Sequence, residues 1–208
     1  GGAVLEQLGK LRTVALDKTG TLTAGTPKVT DVEDWATGQG AQEILRLAAA
    51  LERDSSHPIA TAIFSHAQQL GLSIPQTNGN RALSGRGVAG QVEGRELSLV
   101  SPRQLTEQAA LDDDLSARIA ELEHAGKSLA LLVESERPLG LIAVRDEPRE
   151  DAQEGLTALS RLGVQAVMLS GDNARTAAAI GGSLGIEAYG ELMPEDKARR
   201  VQAWQAAG

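Results

Sequence analysis

Residues 14–16, Val-Ala-Leu, form an apolar run that ends abruptly in Asp17, and four hydroxyl-bearing or glycine residues follow within six positions. A short continuous apolar run bounded by turn residues reads as a buried parallel strand. The same pattern returns only after Val144, where helices and strands alternate. A helix is expected over residues 150–162 and an apolar strand over 164–169. The loop Ser170-Gly171-Asp172-Asn173 comes next, then a helix over 174–184, a short strand over 186–189 and a last helix over 194–207. Such alternation is the mark of a parallel sheet. The strand before Asp17 therefore belongs with this distant region, and the chain between them is an insertion. The expectation is a discontinuous parallel-sheet domain, residues 1–24 and 145–208, carrying an inserted domain, residues 25–144.

The insertion has a different periodicity. Residues 28–35 alternate as a strand. Ile44, Leu47, Ala48 and Leu51 recur at helical spacing over 41–52. Ser55-Ser56-His57-Pro58 opens a second helix with proline at its first position, where a missing N–H is no loss. Residues 78–100, punctuated by Gly85, Gly87 and Gly90, read as short antiparallel strands with a hairpin turn at Glu93-Gly94. A helix over 111–124 and two apolar strands, 129–133 and 139–144, complete an α+β domain. Residues 1–10 read as one or two helical turns leading into the first strand.

Composition narrows the function. The 208 residues suit one large domain or two small ones. A net charge of −8 with no basic run argues against a nucleic-acid partner. The absence of cysteine excludes disulfides and thiolate metal sites. His57, His66 and His124 are too few for a histidine-rich one. No stretch has the length and apolarity to span a bilayer, and no signal peptide opens the chain. These features suggest a soluble, cytoplasmic piece.

Chemistry concentrates at two strand ends, the carboxyl edge where open α/β sheets place ligands. There a carboxylate such as Asp17 can attack phosphorus and form an aspartyl phosphate. Thr19, Gly20 and Thr21 supply amides and hydroxyls for phosphate oxygens. Taken alone, an Asp-x-Thr-Gly run equally suits a turn with Asp17 as a cap. Ser170 and Gly171 form a second such loop, for which a strand-to-helix turn capped by Asp172 or Asn173 is the plain alternative. Lys197, near a helix start, is ordinarily a solvated side chain.

The seven residues Asp17-Lys18-Thr19-Gly20-Thr21-Leu22-Thr23 are identical to the phosphorylation motif of the P-type ATPases. The resemblance extends over nearly the whole chain. It implies a haloacid-dehalogenase-like Rossmannoid phosphorylation domain with an inserted antiparallel nucleotide-binding domain. Asp17 is then the nucleophile, and Lys197, in Pro194-Glu195-Asp196-Lys197, stabilises the transferring phosphoryl group. Ser170 stands where the family usually has threonine. Mg2+ is expected on Asp17 and the Thr19 carbonyl. Soluble phosphatases of the superfamily carry an acid–base aspartate at the position of Thr19, so here the phosphoenzyme should persist.

Glu52 and His57-Pro58 match the heavy-metal branch of this family, as does Gly85-Arg86-Gly87. The resemblance assigns Glu52, His57, Gly85 and Gly87 to ATP binding, with Asp172 added to that set. Asp146 and Arg149 match a hinge element. Val100-Ser101-Pro102 stands where copper pumps often have Gly-Asn, and no nucleotide role carries over to it; in its overall wording the chain looks more like bacterial zinc, cadmium and lead exporters than copper pumps. The family's Gly-Asp-Gly-x-Asn-Asp motif, a further Mg2+ ligand, is not found up to Gly208, nor is Cys-Pro-Cys. The expectation is therefore part of a pump at the cytoplasmic face of the cell membrane, with transmembrane and actuator domains as partners and ATP and Mg2+ as cofactors. A copper pump, a soluble phosphatase of the superfamily and a non-catalytic nucleotide-binding module are the competing readings.

Overall fold

The computed structural model describes residues 10–83, 87–106 and 111–207. The helical turns expected over residues 1–10 and the glycine at position 85 fall outside that description, apart from Lys10 itself. The described chain separates into two compact units. One gathers the residues up to Gly25, His124–Gly126 and those from Glu147 onward; the other holds Thr26–Glu123 and Lys127–Asp146.

The first unit is a three-stranded parallel sheet. Strand β1 (Thr13–Asp17) pairs with β8 (Gln165–Leu169), which pairs with β9 (Glu187–Tyr189). The register sets Asp17 opposite Leu169, so the two loops with chemistry leave adjacent strands at the same edge. Helices α5 (Ala152–Arg161), α6 (Ala174–Leu184) and α7 (Pro194–Ala207) accompany the sheet. Met168, Leu156, Ile180 and Leu184 share a core with Leu22. Asn173 caps α6 by accepting from the Thr176 amide at 2.9 Å, and Gly185, at φ +70°, ends it in a left-handed turn.

The second unit is a six-stranded antiparallel sheet in the order β2-β7-β6-β5-β4-β3. Its strands are β2 (Lys28–Asp34), β3 (Thr77–Leu83), β4 (Gly87–Val92), β5 (Arg95–Val100), β6 (Ser128–Glu134) and β7 (Arg137–Arg145). Successive strand residues face opposite ways. Leu132 and Ile142 thus join the core beneath α1 (Ala41–Leu51) and α2 (Pro58–Gln69), while Leu131 and Leu141 join Leu115, Ile119 and Leu122 of α4 (Asp113–His124). Burial on both faces explains why β6 reads as an unbroken apolar run. The Glu93-Gly94 hairpin has both central residues at positive φ, as the twist of a two-residue turn requires. A short helix, α3 (Pro102–Thr106), stands in a stretch to which the sequence reading assigned no element. It opens on proline, and five residues are too few to show a periodicity.

Candidate functional site

At the carboxyl end of β1, Asp17 is half exposed and its Oδ1 accepts from the Lys18 amide at 2.9 Å and from Lys197 Nζ at 2.7 Å. Thr19 (φ −74°, ψ 122°) and Gly20 (φ 74°, ψ −4°) then form a type II turn. Its second central position needs a positive φ, which is why glycine stands there. The turn closes where the Thr23 amide and hydroxyl donate to the Lys18 carbonyl.

Lys197 comes from the first turns of α7, whose side chains contribute nothing fully buried. Aromatic contacts dock the helix instead: the Arg200 guanidinium lies 4.1 Å from the Tyr189 ring, and Tyr189 lies 5.7 Å from Trp204. A shallow recess of about 450 Å³ between Asp17, Leu169, Lys197 and Val201 opens beside the pair.

In the second loop the hydroxyl of Ser170 is engaged by its own loop. The Ser170 hydroxyl is buried, donates to Asp172 Oδ2 at 2.8 Å and accepts from the Asp172 amide at 3.1 Å. Asp172 also receives Lys18 Nζ at 2.6 Å. Lys18, Ser170 and Asp172 therefore form a buried cluster that ties one strand-end loop to the other. Asp172, grouped by resemblance with the ATP-binding residues, lies in this cluster of the first unit. Lys18 escaped the sequence reading, although a lysine directly after the nucleophile was its signal. Gly171 has room for a Cβ, with Leu192 O at an ordinary 3.5 Å. The close approach falls on Gly190, whose Cβ would meet the Asp172 and Asn173 carbonyls at 2.9 Å.

The described residues contain no cluster of three acidic or histidine side chains able to hold a metal. Asp17 and the Thr19 carbonyl are nevertheless hard oxygen donors at an exposed edge. That suits Mg2+, which binds through one or two carboxylates and keeps waters and substrate phosphates as its other ligands.

In the second unit a cleft of about 670 Å³ is lined by Glu52, His57, Asn80, Gly87 and an apolar floor of Leu83, Val88, Leu99, Val100 and Ala130. The volume and the few polar groups over an apolar floor are those of a small-molecule site. Glu52 follows the last residue of α1, and burial pushes its carboxyl above the usual range, partly offset by a hydrogen bond from Ser55. His57 caps α2, with Nδ1 accepting from the Ile59 amide at 3.3 Å. Gly87, at φ +134°, cannot take a side chain, because a Cβ would lie 2.1 Å from Leu99 O. Its glycine is thus demanded by the neighbouring strand as well as by any ligand.

At the chain crossings, Asp146 Oδ1 accepts from the Thr26 amide at 3.2 Å. The Arg149 amide donates to Leu22 O at 2.9 Å, while its guanidinium pairs with Asp151.

This chain belongs to the haloacid dehalogenase-like hydrolase family, whose model matches residues 11–208. Within that family it is the counterpart of the nucleotide-binding and phosphorylation region of heavy-metal P-type ATPases. It is 45% identical to a zinc/cadmium/lead-transporting P-type ATPase of Shigella sonnei over 97% of this chain and 27% of that protein. It is 41% identical to a probable copper-exporting P-type ATPase V of Mycobacterium tuberculosis over 100% of this chain and 27% of that one. The chain thus spans about a quarter of the length of the curated relatives it matches. Among solved structures, the catalytic domain of the CPx-ATPase CopB-B, described for its conformational changes upon nucleotide binding, superposes with a TM-score of 0.72 at 28% identity. That match covers 100% of this chain and 72% of the other.

Proposed function

We propose that the chain is the ATP-binding and autophosphorylating part of a heavy-metal-exporting P-type ATPase. One observation carries the reading: the Lys197 ammonium lies 2.7 Å from the carboxylate of Asp17, at the strand end that opens the seven-residue motif. No hydrogen bond among the described residues engages Asp17 Oδ2, and this oxygen attacks the γ-phosphorus of ATP. The new O–P bond replaces the bond to the bridging oxygen, and ADP leaves with that electron pair. Lys197 offsets the charge on the carboxylate and on the transferring phosphoryl oxygens. Mg2+ on Asp17 and the Thr19 carbonyl would supply further neutralisation of the phosphates when bound.

Thr19, Gly20, Thr21, Ser170 and Gly171 hold phosphoryl oxygens, and in the free protein Ser170 aligns Asp172 beside Lys18. A threonine hydroxyl does no acid–base work near neutral pH, so the aspartyl phosphate outlives the transfer, as ion translocation needs. Glu52 and His57 contact the adenine end in the cleft, Gly85 and Gly87 leave room for the nucleotide to approach the backbone, and Asp146 and Arg149 serve as the hinge.

The identity to a zinc/cadmium/lead transporter favours those ions as cargo, with copper the alternative. The partners are the transmembrane and actuator domains of the parent pump, at the cytoplasmic face of the cell membrane. No helix among the described residues is long and apolar enough to cross a membrane.

The test is acid-stable labelling of the full-length protein by γ-labelled ATP. Asp17→Asn is expected to abolish it, and undiminished labelling would reject the nucleophile. Stimulation of turnover by Zn2+ but not by Cu+ checks the cargo.

A further inference from the structure

Strand β3 carries an irregularity that points into the cleft. Its register with β4 runs Asn78 to Gln91 and then Arg81 to Ala89, so Gly79 and Asn80 together oppose Gly90. Gly79 has φ +65°. Two residues facing one, with a glycine in the left-handed region, make a β-bulge, a device that re-aims a side chain.

The re-aimed side chain is Asn80. It crosses Gly90, where a Cβ would lie 2.2 Å from its Oδ1, and Nδ2 donates to the Leu51 carbonyl at 3.2 Å. Leu51 is the last residue of α1, and its carbonyl is one of those a helix cannot satisfy internally. The next residue is Glu52. Gly79, Gly90 and Asn80 thus act together: the first bends the strand, the second leaves room, and the third ties down the helix end.

We infer that Asn80 is a positioning residue for the nucleotide cleft, holding the end of α1 so that Glu52 meets the base. The inference rests on the proposal that this cleft takes ATP through Glu52. A carboxylate acceptor there reads the exocyclic amine of adenine. Inosine triphosphate (ITP), which carries an oxygen at that position, does not offer the donor. Loss of one oriented hydrogen bond corresponds to about a tenfold change in affinity.

The experiment is calorimetric titration of ATP and ITP into the chain and into Asn80→Ala, Gly90→Ala, Glu52→Leu and the Asn80→Ala/Glu52→Leu double variant. Thermal unfolding is followed in parallel. Asn80→Ala and Gly90→Ala are expected to weaken ATP about tenfold and ITP by less than about twofold. The double variant should bind ATP no more weakly than Glu52→Leu alone. Equal weakening of ATP and ITP, or a double loss equal to the product of the single losses, overturns the role. If Asn80→Ala does not fold, Asn80→Asp keeps the shape without the donor and gives the same reading. Unchanged ATP affinity in both Glu52→Leu and His57→Gln removes the nucleotide site itself, an outcome that does not involve Asn80.

Discussion

Lys18 and Glu52 are both charged groups held largely out of water, and they differ in whether the fold supplies a partner. Lys18 is paired with Asp172, and both side chains are mostly buried, at 9% and 16% exposure. Removing one member of such a pair leaves the other charge uncompensated. Lys18→Met is therefore expected to lower stability by about 3–5 kcal/mol in denaturant unfolding, with Asp172→Leu in the same chain recovering part of the loss. Among the described residues no cation pairs with Glu52, and burial raises its carboxyl. A carboxyl raised in the folded state favours folding when protonated, and that advantage is lost as pH climbs from the ordinary value of 4.5 through the folded one. Glu52→Gln should therefore raise the melting temperature at pH 7 and leave it unchanged below pH 4. A melting temperature that falls at pH 7 would remove the burial argument. Stability given up at a carboxylate in a cleft is the usual sign of a group kept for binding.

Among the elements, β4 shows why a glycine cannot be interpreted from its motif alone. Gly85-x-Gly87 suggests room for a ligand, yet the Cβ position of Gly87 is occupied by Leu99 O of β5. Gly87→Ala is expected to cost about 1–3 kcal/mol by separating the strands, whether or not nucleotide is present. Chemical denaturation of the ligand-free protein measures it, and a loss that appears only in ATP affinity would return the glycine to the ligand. The helical and strand periods were legible because each element buries one face or both. What periodicity missed was the five-residue α3 and the bulge at Gly79-Asn80. The Asn78-Gly79-Asn80 run is a local turn signal, but only its register against β4 distinguishes a bulge from a hairpin.

For the molecule as a whole, the discontinuity of the first unit was readable from the change of pattern after Val144. Each unit has its own core, and the ends of the second lie side by side: Lys28 pairs with Arg145, and Thr26 donates to Asp146. Residues 26–146 expressed alone should fold cooperatively and bind ATP with the affinity of the longer chain. Dispersed amide resonances and matching titrations check this, and a molten fragment would count against an autonomous insertion.

The linear chain by itself determined the element order, the insertion and the placing of Asp17 at the end of a buried strand. Those features follow from local spacing of apolar residues and from turn chemistry. Only the tertiary structure decided that Lys197, 180 positions away, reaches Asp17, that Ser170 turns to Asp172, and that Asn80 crosses Gly90 to the end of α1. Such contacts depend on strand register and on how a helix docks. Register and docking are set by packing summed over the whole domain, and no short window of residues contains that sum.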